Sequence, residues 1–151
     1  MFVLSQNNLD VSVLITPLLL KAIPPLAREL LTRIHNGILV DGDQLREIFP
    51  GTGFSKEERY KNIRRAQDIA KFLEASDLTP VVSVVAPYLE LREEFKSKAK
   101  VVEIFVHTNE TRGREKFHVA EYEPPLENFI DIDTTNVLVG TCVELIISKL
   151  P

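Results

Sequence analysis

Short runs of β-branched and aliphatic residues alternate along the chain with segments whose apolar positions recur at helical spacing. Val11 to Thr16 reads as a first strand and Pro24 to Ile34 as a helix, its two prolines tolerated because the opening turn has no intrahelical donor to lose. Gly37 to Val40 reads as a second strand ending at Asp41, and a loop containing Gly and Pro follows it. Ser55 and Glu58 have the spacing of a capping box, which opens an amphipathic helix running to Ser76. Val81 to Val85 is continuous valine apart from Ser83, as in a strand buried on both faces, and Pro87 ends it. Tyr88 to Lys98 reads as a helix, Val101 to Val106 as a strand, and Thr108 to Asn128 as a polar connection. Phe129 to Asp133 alternates as a strand, and Thr134 or Thr135 caps a final helix reaching Lys149. This alternation predicts an α/β fold in three layers, a doubly wound parallel sheet with helices on both faces.

The long helix carries the most informative pattern. At about 100° per residue, Ile63, Ala66, Ile69, Ala70 and Leu73 form one apolar stripe, and Arg59 and Asn62 fall inside it at its N-terminal end. A guanidinium on a buried face needs an anion. Either a structural carboxylate supplies it, since buried charges are paired, or a ligand sulfate or phosphate does, for which arginine's planar fork of donors is suited. Arg64 and Arg65 point away from the stripe and read as surface residues. Asp41 and Asp43 stand just after the second strand, and in open α/β sheets ligands bind beyond the carboxyl ends of the strands. Two residues apart on an extended backbone, they point to one side, and Gly42 between them leaves room for a substrate. The same pair equally suits a solvated turn or the carboxylate partner of Arg59. Phe54, read locally, suits a hydrophobic staple.

Composition narrows the field. A length of 151 residues predicts one domain, 1–151, able to bury a substantial core. The net charge of −4 argues against a nucleic-acid partner. Cys142, the one cysteine, allows no intrachain disulfide and lies in the apolar run NVLVGTCVELIISKL as a packed core thiol, so a reducing cytoplasm is the expected location. The longest apolar stretch, from Val11, is interrupted by Lys21, Pro24 and Pro25 before it reaches the roughly 20 residues of a bilayer span, so no membrane partner is expected. The N-terminus lacks the basic region of a signal peptide. His35, His107 and His118 lie far apart with no metal-ligand spacing, and no metal site is expected from them.

In order and spacing, ILVDGDQLR, GFSKEERYKNIRRA and SVVAPYLELR resemble the motifs of adenylylsulfate kinases. That family shows DGDN-x-R at a strand end, F-S-x-x-x-R-x-x-N-I-R-R at a helix start and I-S-P-Y-R at a turn. The resemblance runs from about Val11 to Thr135. It implies a P-loop-kinase-like fold and transfer of the ATP γ-phosphate to the 3′-hydroxyl of adenosine 5′-phosphosulfate, in sulfate assimilation. ATP and magnesium are the implied cofactors, an adenine nucleotide the implied small-molecule partner, and a homodimer an expected assembly. By this resemblance Asp41 and Asp43 are catalytic, orienting or deprotonating the attacking hydroxyl and helping with magnesium. Arg46, Phe54, Arg59 and Asn62 hold the substrate nucleotide, with the arginines on its phosphosulfate and the ring against its adenine. Pro87 and Tyr88 match the substrate-side turn, and Arg92 remains beside it as a further substrate-binding candidate.

Two departures bear on the chemistry. At the turn, the family serine is Ala86 and the arginine after tyrosine is Leu89. At the first strand-to-helix connection, ITPLLLKAIPPLA stands where a P-loop carries G-x-x-x-x-G-K-[ST]. No glycine is present, three leucines occupy the cradle, and Ala22 replaces the magnesium-binding hydroxyl. Lys21 aligns with the motif lysine after one deletion and is the phosphate-binding candidate, set against a loop simply packed by leucines. Farther on, Arg112, Arg114, Lys116 and Phe117 either close over a ligand or only solubilise an exposed loop. Three readings follow: a divergent phosphotransferase, a catalytically inactive nucleotide-binding or regulatory module with a degenerate Walker A loop, and a structural subunit whose Arg59 is neutralised internally, for instance by Asp43.

Overall fold

The valine-rich segment Thr79–Ser83 is buried at every position and sits inside a parallel sheet, as its unbroken apolar character requires. The computed structural model describes residues 9, 11–17, 23–51, 53–109 and 121–151. In chain order they form β1 (Ser12–Pro17), α1 (Ile23–Leu31), β2 (Gly37–Asp41), α2 (Gly42–Ile48), α3 (Lys56–Glu74), β3 (Thr79–Ser83), α4 (Leu89–Lys98), β4 (Val101–His107), β5 (Phe129–Asp133) and α5 (Val139–Lys149). The strands lie in the order β2-β3-β1-β4-β5 and every neighbouring pair is parallel. Asp41 is level with Ser83, and His107 with Asp133, so the carboxyl ends of the strands share one edge.

Two apolar clusters sandwich the sheet. Leu26, Ala27 and Leu30 of α1 join Cys142, Val143 and Ile146 of α5 over Val13, Ile15 and Ile104. On the other face, Ile63, Ala66 and Ala70 of α3 and Leu91 and Phe95 of α4 cover Leu14, Val40 and Val82. The result is a three-layer α/β fold, as the alternation predicts. Cys142 is 3% exposed within the first cluster. Among the described residues no helix is long and apolar enough to cross a membrane.

Local chemistry explains where elements begin. Ser55 Oγ accepts from the Glu58 amide at 3.3 Å while Glu58 Oε2 accepts from the Ser55 amide at 3.0 Å, the reciprocal box predicted for α3. Three expectations need correction. The segment after Asp41 is not a loop but α2, because Asp41 in an extended conformation accepts from the Asp43 amide at 2.9 Å and caps it. The buried face of α3 is turned toward Asn62 and Gln67, leaving Ile69 and Leu73 half-buried, and Gln67 is satisfied by donating to the Leu91 carbonyl at 3.0 Å. Neither Thr134 nor Thr135 caps α5, whose N-cap is Leu138. Thr134 donates to the His107 carbonyl and Thr135 bonds Asp133, so both close the loop after β5 instead.

Candidate functional site

The end of β2, the first turns of α2 and α3, and the turn before α4 bring most of the predicted residues to the carboxyl edge of the sheet. Asp41 is half-buried, and one of its oxygens is committed to capping α2. Asp43 is exposed in the first turn of that helix. The role expected of Gly42 changes. A Cβ there would stand 2.8 Å from Val84 Cγ2, so the glycine admits α2 against the end of β3 rather than a substrate. The Gly42 carbonyl accepts from Asn62 Nδ2 at 3.1 Å. Asn62 is completely buried, and its Oδ1 has no hydrogen-bond partner among the described residues.

Arg46 and Arg59 converge on one aromatic ring. The guanidinium carbons lie 4.6 Å and 5.6 Å from the Phe54 centroid, and Phe54 is 67% exposed. Arg46 Nη1 donates to the Gly53 carbonyl at 2.5 Å, and Arg59 Nε donates to the Phe54 carbonyl at 3.0 Å. The loop between α2 and α3 is thus shaped by the two cations. Burial lowers the Arg46 pKa and the nearby Arg59 charge lowers it further, against the opposing pull of Asp43 and Glu58. Glu58 is itself held below its ordinary value by hydrogen bonds from Ser55. Arg59 is half-buried rather than enclosed, and among the described residues it forms no ion pair with a carboxylate. Asp43, one example of the internal partner that a purely structural subunit would need for Arg59, forms no ion pair with it among the described residues.

Pro87 and Tyr88 are buried at the opposite lip. The Tyr88 ring lies 4.6 Å from that of Tyr60 at 44°, and Lys56 Nζ stands 5.4 Å and 5.8 Å from their centroids. Tyr60 Oη donates to Glu90. Tyr60 and Lys56 were not singled out by motif, although their i, i+4 spacing on α3 beside Arg59 is the signal that places them on this side.

Arg92 departs from its expected place on the substrate side. It is 0% exposed, with Nε 2.8 Å from Glu103 Oε1, Nη1 donating to the Ala86 carbonyl at 2.5 Å and Nη2 donating to the Glu123 carbonyl. Glu103, also 0% exposed, is approached by Lys96 Nζ at 2.9 Å and by the Thr16 hydroxyl at 3.3 Å. The physical reason is helical phase: Leu91, Arg92 and Phe95 share the buried face of α4, and a charge carried inward needs a buried anion, which β4 supplies. Burial works against the Lys96 ammonium, but its bonds to Glu93 and Glu103 outweigh that and keep its pKa above the ordinary value. Burial raises the pKa of the Tyr122 phenol, whose ring lies 5.3 Å from the Arg92 guanidinium. Of the remaining sites, Arg64 pairs with Glu94 at 2.9 Å and Arg65 stacks over Phe49 at 4.3 Å. Lys21, Leu18 to Leu20, Arg112, Arg114, Lys116 and Phe117 lie outside the described residues.

Comparison with known proteins gives this arrangement a lineage. Residues 22–125 match the sequence model of the family described as adenylylsulphate kinase. The adenylyl-sulfate kinase of Gloeothece citriformis is 32% identical over 132 residues, which cover 74% of this chain and 75% of that protein. The enzyme of the same description from Microcystis aeruginosa is 41% identical over 71 residues, and there the match spans 46% of this chain and only 39% of the relative. The structure of Mycobacterium tuberculosis APS kinase in complex with AMPPNP and APS superposes with a TM-score of 0.75 at 19% identity, covering 94% of this chain and 98% of that one, which is a likeness of fold. With the motifs, the parallel sheet and these matches in agreement, the chain belongs to the adenylylsulfate kinase family and has its P-loop-kinase-like fold.

Proposed function

We propose that this protein is a divergent adenylylsulfate-kinase-like nucleotide binder: it holds adenosine 5′-phosphosulfate, or an adenosine nucleotide with a similar 5′ anion, and transfers phosphate from ATP slowly or not at all. The observation that carries the reading is the convergence of Arg46 and Arg59 on the exposed Phe54 ring at the carboxyl edge of the sheet. A base stacked on such a ring gains about 1–3 kcal/mol. A hydrogen bond to a charged group adds about 1.5–3 kcal/mol. Arg59 keeps donors uncommitted to any carboxylate among the described residues, which suits an incoming sulfate or phosphate. Asn62, held by the Gly42 carbonyl, fixes the junction of α2 and α3 behind these groups. Asp43 offers an exposed carboxylate to orient an acceptor hydroxyl, and Asp41 holds Asp43 in place through its amide.

The donor half does not fit a magnesium–ATP complex in the same way. The family uses both, and their phosphate cradle depends on backbone donors freed by glycine, whereas the sequence here is ITPLLLKAI with Lys21 as its one cation. Asp41 spends an oxygen on the α2 cap, and Ala22 stands where the family motif carries its magnesium-binding hydroxyl. When bound in a competent relative, ATP and magnesium supply the transferable phosphoryl group and its charge neutralisation. The test is a coupled assay of ADP release with adenosine 5′-phosphosulfate, alongside a titration of nucleotide binding. Saturable binding with turnover below about 1 per second supports the reading, and turnover within the usual kinase range of roughly 1–100 per second contradicts it.

A further inference from the structure

α4 begins without a cap of its own. Its N-cap residue, Tyr88, makes no side-chain hydrogen bond to the first turn, yet the Leu89 amide is satisfied by Glu123 Oε2 at 2.6 Å, from a segment 34 residues away. A carboxylate at a helix N-terminus is favoured by the aligned peptide dipoles. The same residue is bound through its main chain: the Glu123 amide donates to the Pro87 carbonyl at 2.9 Å, and the Glu123 carbonyl accepts from Arg92. Arg92 in turn donates to the Ala86 carbonyl, Tyr122 lies beneath its guanidinium, and Lys96 donates to the Glu127 carbonyl at 3.3 Å. Two bonds of Glu123 thus hold the turn directly, at Pro87 and Leu89, and a third holds Arg92, which itself donates to Ala86.

We propose that Glu123 is a positioning residue of the nucleotide cleft, acting through the Ala86 to Leu89 turn that it clamps. The turn carries Pro87 and Tyr88, and Tyr88 packs on Tyr60, the residue after Arg59 on α3. A shift of the turn is thereby transmitted to the first turns of α3, where the anion-binding arginine sits. Leu89 stands where the family motif has arginine, so the cation of that motif is missing beside the helix N-terminus and the carboxylate of Glu123 caps the amide directly. The three motifs ILVDGDQLR, GFSKEERYKNIRRA and SVVAPYLELR end before Glu123, although the family match, residues 22–125, extends over it. The proposal rests on the nucleotide-binding reading above and names a determinant of that same site.

Two variants of the full chain separate positioning from simple stability. Glu123→Ala removes the cap, and Glu123→Gln keeps an acceptor oxygen for the Leu89 amide, while the two main-chain bonds persist in both. Amide exchange at Leu89 is read by NMR and adenosine 5′-phosphosulfate binding by calorimetry, well below the unfolding temperature. Glu123→Ala should speed Leu89 exchange on the order of fivefold and weaken the nucleotide roughly three- to tenfold, and Glu123→Gln should restore both to within about twofold. Unchanged Leu89 exchange, or faster exchange with unchanged affinity, overturns the positioning role alone. A wild-type protein that shows no binding at millimolar nucleotide overturns the cleft reading and this proposal with it.

Discussion

Removing the buried anion at Glu103 is the most demanding test of the packing. Glu103→Leu leaves the Arg92 guanidinium, 0% exposed, with its backbone acceptors but no counter-charge, while Lys96, 11% exposed at its side chain, reaches solvent more readily. Breaking a fully buried pair from one side costs about 3–5 kcal/mol. That is a large share of the roughly 5–15 kcal/mol by which native domains are stable. For a chain of this size each kcal/mol lowers Tm by about 2–4 °C, so the variant should melt on the order of 10 °C below wild type in a circular-dichroism scan. The double variant Arg92→Met with Glu103→Leu replaces both charges by apolar groups of similar size. It should recover at least about half of the loss, since such replacements are often near neutral. A single variant that melts within about 3 °C of wild type, or a double variant no more stable than the single, refutes the enclosed ion pair as the reason Arg92 faces inward.

Three further outcomes follow from local geometry. Ser55→Ala removes one half of the α3 capping box and should cost about 1 kcal/mol, read as a urea midpoint shift with unchanged helix content. Gly42→Ala pushes a methyl to within 2.8 Å of Val84 Cγ2 and should destabilise by about 1–3 kcal/mol, with Asp43 and Asn62 displaced in a crystal structure of the variant. Glu94 has its pKa held down to about 2 from an ordinary 4.5 by hydrogen bonds from Lys98 and then Arg64. Because the folded value is depressed, its contribution is complete above 4.5 and is lost as pH falls toward 2, so Glu94→Gln and wild type should converge in stability across that window. A gap that stays constant from pH 6 to about pH 2 contradicts this sign.

The sheet was legible because its strands declare themselves by β-branched runs, and α3 because its cap and its stripe agree. α2 was hidden by Gly42 at its first position and by Pro50 and Gly51 after it, punctuation that locally suggests a loop; the Asx cap at Asp41 was the missed signal. Motifs carrying several polar residues at fixed spacing singled out Asp41, Asp43, Arg46, Phe54, Arg59 and Asn62, and the structure brings these residues to one edge of the sheet. Arg92 shows the limit of that reasoning. Closeness in sequence to Pro87 and Tyr88 suggested the cleft, whereas its phase with Leu91 and Phe95, and the glutamate in the middle of VVEIFVH, pointed to the core. No local pattern marks Glu123, because a helix cap supplied from 34 residues away leaves none in the sequence around either residue.

The most direct measurement is a crystal structure of the protein soaked with adenosine 5′-phosphosulfate. The account predicts adenine against the Phe54 ring and the phosphosulfate within hydrogen-bond distance, about 2.7–2.9 Å, of the Arg46 and Arg59 guanidiniums. It also predicts that Arg59→Ala weakens the same ligand by roughly ten- to a hundredfold. Nucleotide bound elsewhere, or no ligand at this edge at millimolar concentration, contradicts the claim that the acceptor half of the family's site is retained.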